Sequence, residues 1–141
     1  MTASADEKML LSNKKLVEQF WIFFIDGDLA RALALMSDDF TWELTGQTPL
    51  SGIYRGKAEV RDVFFAKVAE CIDLTAGIDL EIDALIAEGD RVVMLARGEM
   101  QGRYGPYNNT YCHVMTVRGG LLCGTVEYVD TELVNRALFA R

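Results

Sequence analysis

A chain of 141 residues and 15.7 kDa, half hydrophobic and a quarter charged, is long enough to bury one core of ordinary composition. A net charge of −7 and an isoelectric point near 4.7 argue against nucleic acid, because neutralising phosphates requires a basic face. Cys71, Cys112 and Cys123 have no C-x-x-C spacing and His113 is the one histidine, so neither a disulfide framework nor a histidine-rich metal site is indicated. A protein of a reducing, cytoplasmic compartment fits this cysteine usage.

Residues 1–10 carry Asp6, Glu7 and Lys8 before any apolar run, the pattern of a flexible end rather than of a signal peptide. The longest apolar stretch, residues 20–25, is too short to span a membrane. Ser12 is placed to cap a helix through Leu16, Val17, Phe20, Trp21, Phe23 and Phe24 that Gly27 ends. A short second helix follows through Leu29, Ala32, Leu33 and Met36 and stops near Ser37, Asp38 and Asp39. Residues 40–45 alternate as a strand, and residues 46–56, with Pro49 and two glycines beyond Gly46, read as a loop. A third helix runs from Lys57 through Val60, Val63, Phe64, Val68 and Ile72. Four strands are then expected over 78–87, 91–101, 107–117 and 121–129, and a last helix over 131–139 capped by Asp130.

No linker or repeat interrupts this order, so one domain over 1–141 is expected. The fold class it predicts is α+β, a curved antiparallel sheet wrapped as a cone around three N-terminal helices. The middle of such a cone is enclosed by both layers, which is where a hydrophobic small-molecule ligand would sit.

Residues two apart on a strand share a face. Leu95, Arg97 and Glu99 share one on the second of the four strands; Asn109, Tyr111 and His113 on the third; Thr125, Glu127 and Val129 on the fourth. If the odd-numbered side chains of these strands meet in one hollow, Arg97, Glu99, His113 and Glu127 form a polar patch inside an apolar cone. Burial raises a carboxyl pKa and a guanidinium lowers it, so such a patch holds different protonation states at neutral pH. Facing solvent instead, the same charges would be cross-strand ion pairs worth under about 1 kcal/mol each. His113 alone would equally be a hydrogen-bonded structural residue. Phe20, Phe24, Trp42 and Phe64 read as core and pocket wall. No Gly-x-Ser-x-Gly elbow or phosphate loop is present.

Gly27-Asp28 after an aromatic helix, Asp38-Asp39-Phe40-Thr41-Trp42, Gly52-Ile53-Tyr54-Arg55-Gly56, Tyr107-Asn108-Asn109 and Glu127-Tyr128-Val129-Asp130 form a recognisable set. Together they resemble the SnoaL-like, ketosteroid-isomerase-related proteins of the nuclear transport factor two superfamily, across essentially the whole chain. The resemblance implies a cystatin-like conical barrel, a homodimer packed through the outer sheet face, and an apolar pocket for polycyclic or terpenoid-like molecules. It implies no cofactor and no metal.

Three reactions of such proteins can be set on this sequence. The base and the oxyanion tyrosine of ketosteroid isomerases would fall at Leu44 and Phe20, which cannot serve, and their protonated aspartate at His113. Steroid isomerase chemistry is therefore not expected. The Asp–Arg–Asp set of limonene-epoxide hydrolases would fall on Glu99, Arg97 and Glu127, with Trp42 and Leu44 where their water-holding residues lie. In SnoaL-like cyclases an acidic residue moves protons while the pocket folds the substrate, a role open to Glu127 or His113.

The resulting expectation is a cofactor-independent acid–base enzyme acting through Glu127, His113, Arg97 and Glu99. Its pocket would be lined by Phe20, Phe24, Trp42, Leu44 and Phe64 from the first half of the chain. Leu95, Asn109, Tyr111 and Thr125 would line it from the second. Epoxide opening and non-catalytic binding of an apolar ligand are the alternatives.

Overall fold

The computed structural model describes residues 3–141. Helix α1 spans Ala5–Ile25 and starts well before the Ser12 expected to cap it. Ser4 is the cap. Its hydroxyl accepts from the Glu7 N–H at 3.1 Å, and the Glu7 carboxylate accepts from the Ser4 N–H at 3.3 Å. This capping box satisfies two orphan donors together, so residues 5–10 are helical turns and not a flexible end. Residues 1 and 2 of that expected end lie outside the described residues. Asn13, Val17, Phe20 and Trp21 recur at helical spacing and form the buried stripe.

Gly27 stops α1 in a Schellman motif, bonding the Phe24 carbonyl at 3.2 Å while Asp28 N–H bonds that of Phe23 at 2.9 Å. The turn needs a φ of +78° at position 27, which glycine adopts without strain. Asp28 then caps α2, Leu29–Ala34. Strand β1, Met36–Leu44, begins earlier than expected and takes in Ser37, Asp38 and Asp39. The supposed loop after it contains β2, Gly52–Arg55, which pairs back on β1. Helix α3 covers residues 57–71, with a π segment at Val60–Phe64 between α turns at Lys57–Glu59 and Phe65–Cys71.

The remaining strands are β3, Asp79–Glu88; β4, Arg91–Gly102; β5, Gly105–Tyr107; β6, Thr110–Arg118; and β7, Leu121–Val129. One long strand expected from Tyr107 is broken at Asn108 and Asn109, so that β5 folds back on β4 while β6 continues the sheet. Helix α4, residues 131–138, is capped by Asp130, whose Oδ1 accepts from Leu133 N–H at 3.2 Å.

The sheet order is β2-β1-β7-β6-β4-β3, with β5 added on β4. Every pairing is antiparallel except β1 with β7, which run parallel and set Trp42 beside Thr125 and Leu44 beside Glu127. Helix α1 packs against β3, β4 and β7 inside the curl of the sheet. Phe20, Met36, Phe40, Met94, Met115 and Leu122 are essentially fully buried there. Each such side chain contributes about 1.5–3 kcal/mol by leaving water.

Candidate active site

A cavity of about 550 Å³ occupies the hollow between the sheet and the helices. Phe24 of α1, Trp42 and Leu44 of β1, Phe64 and Phe65 of α3, and Met94 of β4 supply apolar wall. Exposed lining residues at Asp26, Gly27, Leu29, Leu74 and Gly77 place its mouth between the α1–α2 turn and the segment before β3. Only a few polar groups reach the interior: Glu127, His113 and the phenols of Tyr107 and Tyr111.

Register decides which side chains reach this hollow. Cross-strand partners share a face, and β6 pairs His113 with Glu127 of β7 on one side and with Met94 of β4 on the other. Odd positions of β6, and of β7 from Thr125 onward, therefore face inward together with even positions of β4; a register shift at Thr116/Val117 turns Leu122 inward before that. Val92, Met94 and Ala96 are buried accordingly. Leu95, Arg97 and Glu99 lie on the outer face, against expectation.

The Arg97 side chain is 62% exposed and pairs with Glu81 at 3.6 Å and Asp83 at 3.3 Å. Glu99 is exposed as well, and Leu95 is 38% exposed. The Glu99–Arg97–Glu127 set is thus split across the sheet and cannot act on one substrate. Its arginine is a surface ion-pair partner, the solvent-facing alternative of the sequence analysis.

Glu127 and His113 do meet inside. Glu127 is buried, its Oε1 accepting from the Trp42 indole N–H at 2.9 Å and its Oε2 lying 3.8 Å from His113 Nε2. Loss of hydration pushes its carboxyl up to about 7, against the lowering effect of the Trp42 hydrogen bond. His113 is enclosed by the rings of Trp21, Trp42 and Tyr111, with centroids at 4.7, 5.5 and 6.4 Å. The same desolvation lowers the imidazole to about 3, so it is neutral at physiological pH.

Thr125 holds the far side of the ring, its hydroxyl 2.9 Å from His113 Nδ1. At 3.8 Å the imidazole and the carboxyl are beyond direct hydrogen bonding. They stand as neighbours, one neutral and one poised to gain or lose a proton near pH 7.

Other expected pocket residues sort into wall and support. Phe24, Trp42, Leu44, Phe64 and Tyr111 line the cavity. Phe20 lies behind it, stacked on Phe24 and edge-on to Trp21. Thr125 supports His113, and Asn109 supports Tyr107 through a hydrogen bond of 3.1 Å to the phenol oxygen. Tyr107, Phe65 and Trp21 were not singled out as site residues from the sequence, although each borders the cavity. Tyr107 had a signal, its place in the Tyr107-Asn108-Asn109 run; Trp21 and Phe65 look like any core aromatic. Among the described residues, no three His, Cys, Asp or Glu side chains converge as a metal would require. No helix among them is long and apolar enough to cross a membrane.

A curled sheet closed by helices over an apolar cavity, with one buried carboxyl and a neutral imidazole at its floor, defines a protein of the conical α+β class with an internal pocket. The chain belongs to the SnoaL-like domain family, which matches residues 17–124. An NTF2-like protein of unknown function from Burkholderia pseudomallei has the same fold at 24% identity and a TM-score of 0.80, over 91% of this chain and 98% of that one. TerC, co-crystallised with polyporic acid, is 24% identical with a TM-score of 0.77, over 90% and 98% of the two chains. An LEH-like epoxide hydrolase from M. tuberculosis is 17% identical with a TM-score of 0.72, over 94% and 92%. At these identities the likeness is one of fold. No curated protein matches the chain significantly.

Proposed function

We propose that the protein is an enzyme that moves a proton on a hydrophobic small molecule, with Glu127 as the proton carrier. One observation carries the proposal: a single buried carboxyl, held near pH 7 by desolvation, faces an apolar cavity large enough for a polycyclic ligand. A group whose pKa matches the working pH is present as both acid and base, and proton transfer by such a group speeds reactions by about 10²–10⁴-fold. Trp42 fixes the carboxyl by its N–H on Oε1, Oε2 lies 3.8 Å from His113 Nε2, and Glu127 lines the cavity. His113 assists without charge. With its N–H at Nε2 it faces the carboxylate, and with that nitrogen bare it faces the acid; the Thr125 hydroxyl satisfies Nδ1 either way.

Aldol cyclisation and isomerisation both need this one movable proton beside a shaped apolar wall. The setting we propose is cytoplasmic, in keeping with three free cysteines. A homodimer through the outer sheet face is part of the same proposal. The ladders Val93–Val114–Val126 and Leu95–Cys112–Tyr128 lie on that face and support it.

The decisive comparison is wild type against Glu127→Gln over a panel of polycyclic ketones, with binding read by quenching of Trp21 and Trp42 fluorescence and turnover by product analysis. Both chains should bind, and only the wild type should turn over. Undiminished turnover by Glu127→Gln refutes the assignment. Binding by both with turnover by neither would make the pocket a carrier.

A further inference from the structure

A carboxylate inside an apolar cavity needs a positive charge beside it, and this cavity has none of its own. Among the described residues, no lysine or arginine lines it. Arg97, the guanidinium expected there from the sequence, sits on the outer face with Glu81 and Asp83. His113 Nε2 lies 3.8 Å from Glu127 Oε2, but burial lowers the imidazole to about 3 and leaves it neutral. The Trp42 N–H on Oε1 is a dipole and not a countercharge.

The charged groups of the lining are both acidic, Glu127 inside and the exposed Asp26 at the mouth. The whole chain carries −7. An anionic ligand would meet like charge on entry and again at the floor. The walls are aromatic, with Trp21, Phe24, Trp42, Phe64 and Phe65 all bordering the space. These rings connect, Trp42 standing 5.1 Å from Phe64 and 5.5 Å from Phe65, and Phe65 5.4 Å from Phe24. Aromatic faces attract a cation within about 6 Å of the ring centroid. Since the Trp42 indole bonds the Glu127 carboxyl at 2.9 Å, aromatic surface and carboxyl oxygen stand side by side.

We infer that the cavity binds an apolar molecule carrying a cationic nitrogen, a tertiary or quaternary ammonium seated against Glu127 among these rings. This deepens the function proposed above. It rests on Glu127 meeting a ligand in the cavity, and not on Glu127 turning that ligand over. A protonated tertiary amine donates its N–H to the carboxylate in a charge-assisted hydrogen bond. A quaternary nitrogen supplies the charge and lays its methyl groups on the rings. Either cation favours the carboxylate over the acid, so binding drives the proton from Glu127 to solvent and leaves the site in its basic form.

Three probes with one ring system and one tetrahedral head, differing in charge, test this. They are trimethyl(naphthalen-2-ylmethyl)ammonium, 2-neopentylnaphthalene and naphthalen-2-ylmethanesulfonate. Equilibrium dialysis gives the dissociation constant of each from pH 5.5 to 8.5, a range in which no probe titrates. The titratable groups that share the cavity with Glu127 are His113, Tyr107, Tyr111 and Asp26. Burial keeps His113 neutral and both phenols protonated.

Glu127, held up to about 7, passes from acid to carboxylate as pH rises through that range. The ammonium should therefore tighten roughly thirtyfold, by about tenfold per pH unit well below 7. The hydrocarbon should not tighten, and the sulfonate should bind most weakly and weaken further as pH rises. Calorimetry of the ammonium at pH 6, in two buffers of different ionisation heat, should show about one proton released per ligand bound. Glu127→Gln should lose both the trend and the release, and Asp26→Asn should keep both.

Ammonium affinity that is flat with pH on wild type, or a trend that survives in Glu127→Gln, overturns the inference. So does a trend lost in Asp26→Asn, which would move the ion pair to the mouth. Should Glu127→Gln fail to fold, proton release by wild type decides. Ketone turnover by wild type with no pH gain for the ammonium removes this inference alone and leaves the proposed function standing.

Discussion

Glu127→Gln exchanges the buried carboxyl for a neutral amide of the same shape, keeping an oxygen for the Trp42 N–H and removing the titration. In the unfolded chain a glutamate releases its proton near its ordinary value of 4.5, whereas in the folded protein Glu127 holds it up to about pH 7. Between those values the folded state binds more protons than the unfolded one. The stability contributed by the neutral carboxyl is therefore whole below about 4.5, lost as pH rises to about 7, and gone above. At about 1.4 kcal/mol per pH unit, the gap is about 3 kcal/mol.

The amide carries no such loss, so the stability difference between Glu127→Gln and wild type should shift in the variant's favour by about 3 kcal/mol from pH 4.5 to pH 8. Urea unfolding of both chains across that range measures it. His113 titrates in both chains and drops out of the comparison. A difference that stays flat with pH would refute the claim that burial holds the proton on Glu127, and the proposed base would lose its physical basis. A stabilised but inactive variant would show that the site is kept at the expense of stability.

Trp42→Phe removes the one hydrogen bond that favours the charged carboxylate, so the pH profile of activity should move alkaline of wild type; a profile that moves acid contradicts the geometry. Thr125→Val leaves a buried imidazole nitrogen without its partner and should lower stability by about 1–3 kcal/mol, read from denaturant midpoints at pH 7. Arg97→Ala sits on the outer face and should leave ketone turnover unchanged and stability within about 0.5 kcal/mol; a collapse of turnover would place Arg97 back in the site.

Most of the helix and strand order was legible because periodicity and punctuation are local, although β2 lay in a stretch read as loop. Gly27 needs its left-handed φ wherever the chain folds, and Asp130 caps the helix that follows it by its own side chain. Both are readable from neighbours a few residues away. The start of α1 was equally local, since Ser4 and Glu7 are spaced as a capping box, and it was missed because Ser12 stands closer to the apolar stripe. The break at Asn108 and Asn109 was less accessible. It depends on Asn109 satisfying the Asp130 N–H, 21 residues away in the chain.

The sequence by itself determined that His113 shares a face with Tyr111, that Glu127 shares one with Thr125, and that an aromatic helix would cover them. Periodicity of two sets which residues of a strand go together. It says nothing about how one strand's phase relates to the next, and that phase was settled only when β6 paired His113 with Met94 on one side and Glu127 on the other. The physical reason is that register comes from turn geometry and from burial of the apolar set, and slipping it by one residue sends every side chain to the opposite face. The charges at Arg97 and Glu99 could be read from the sequence either as an inner polar patch or as surface ion pairs, and only tertiary pairing put them on the outer face, leaving Glu127 and His113 as the polar pair at the floor of the cone.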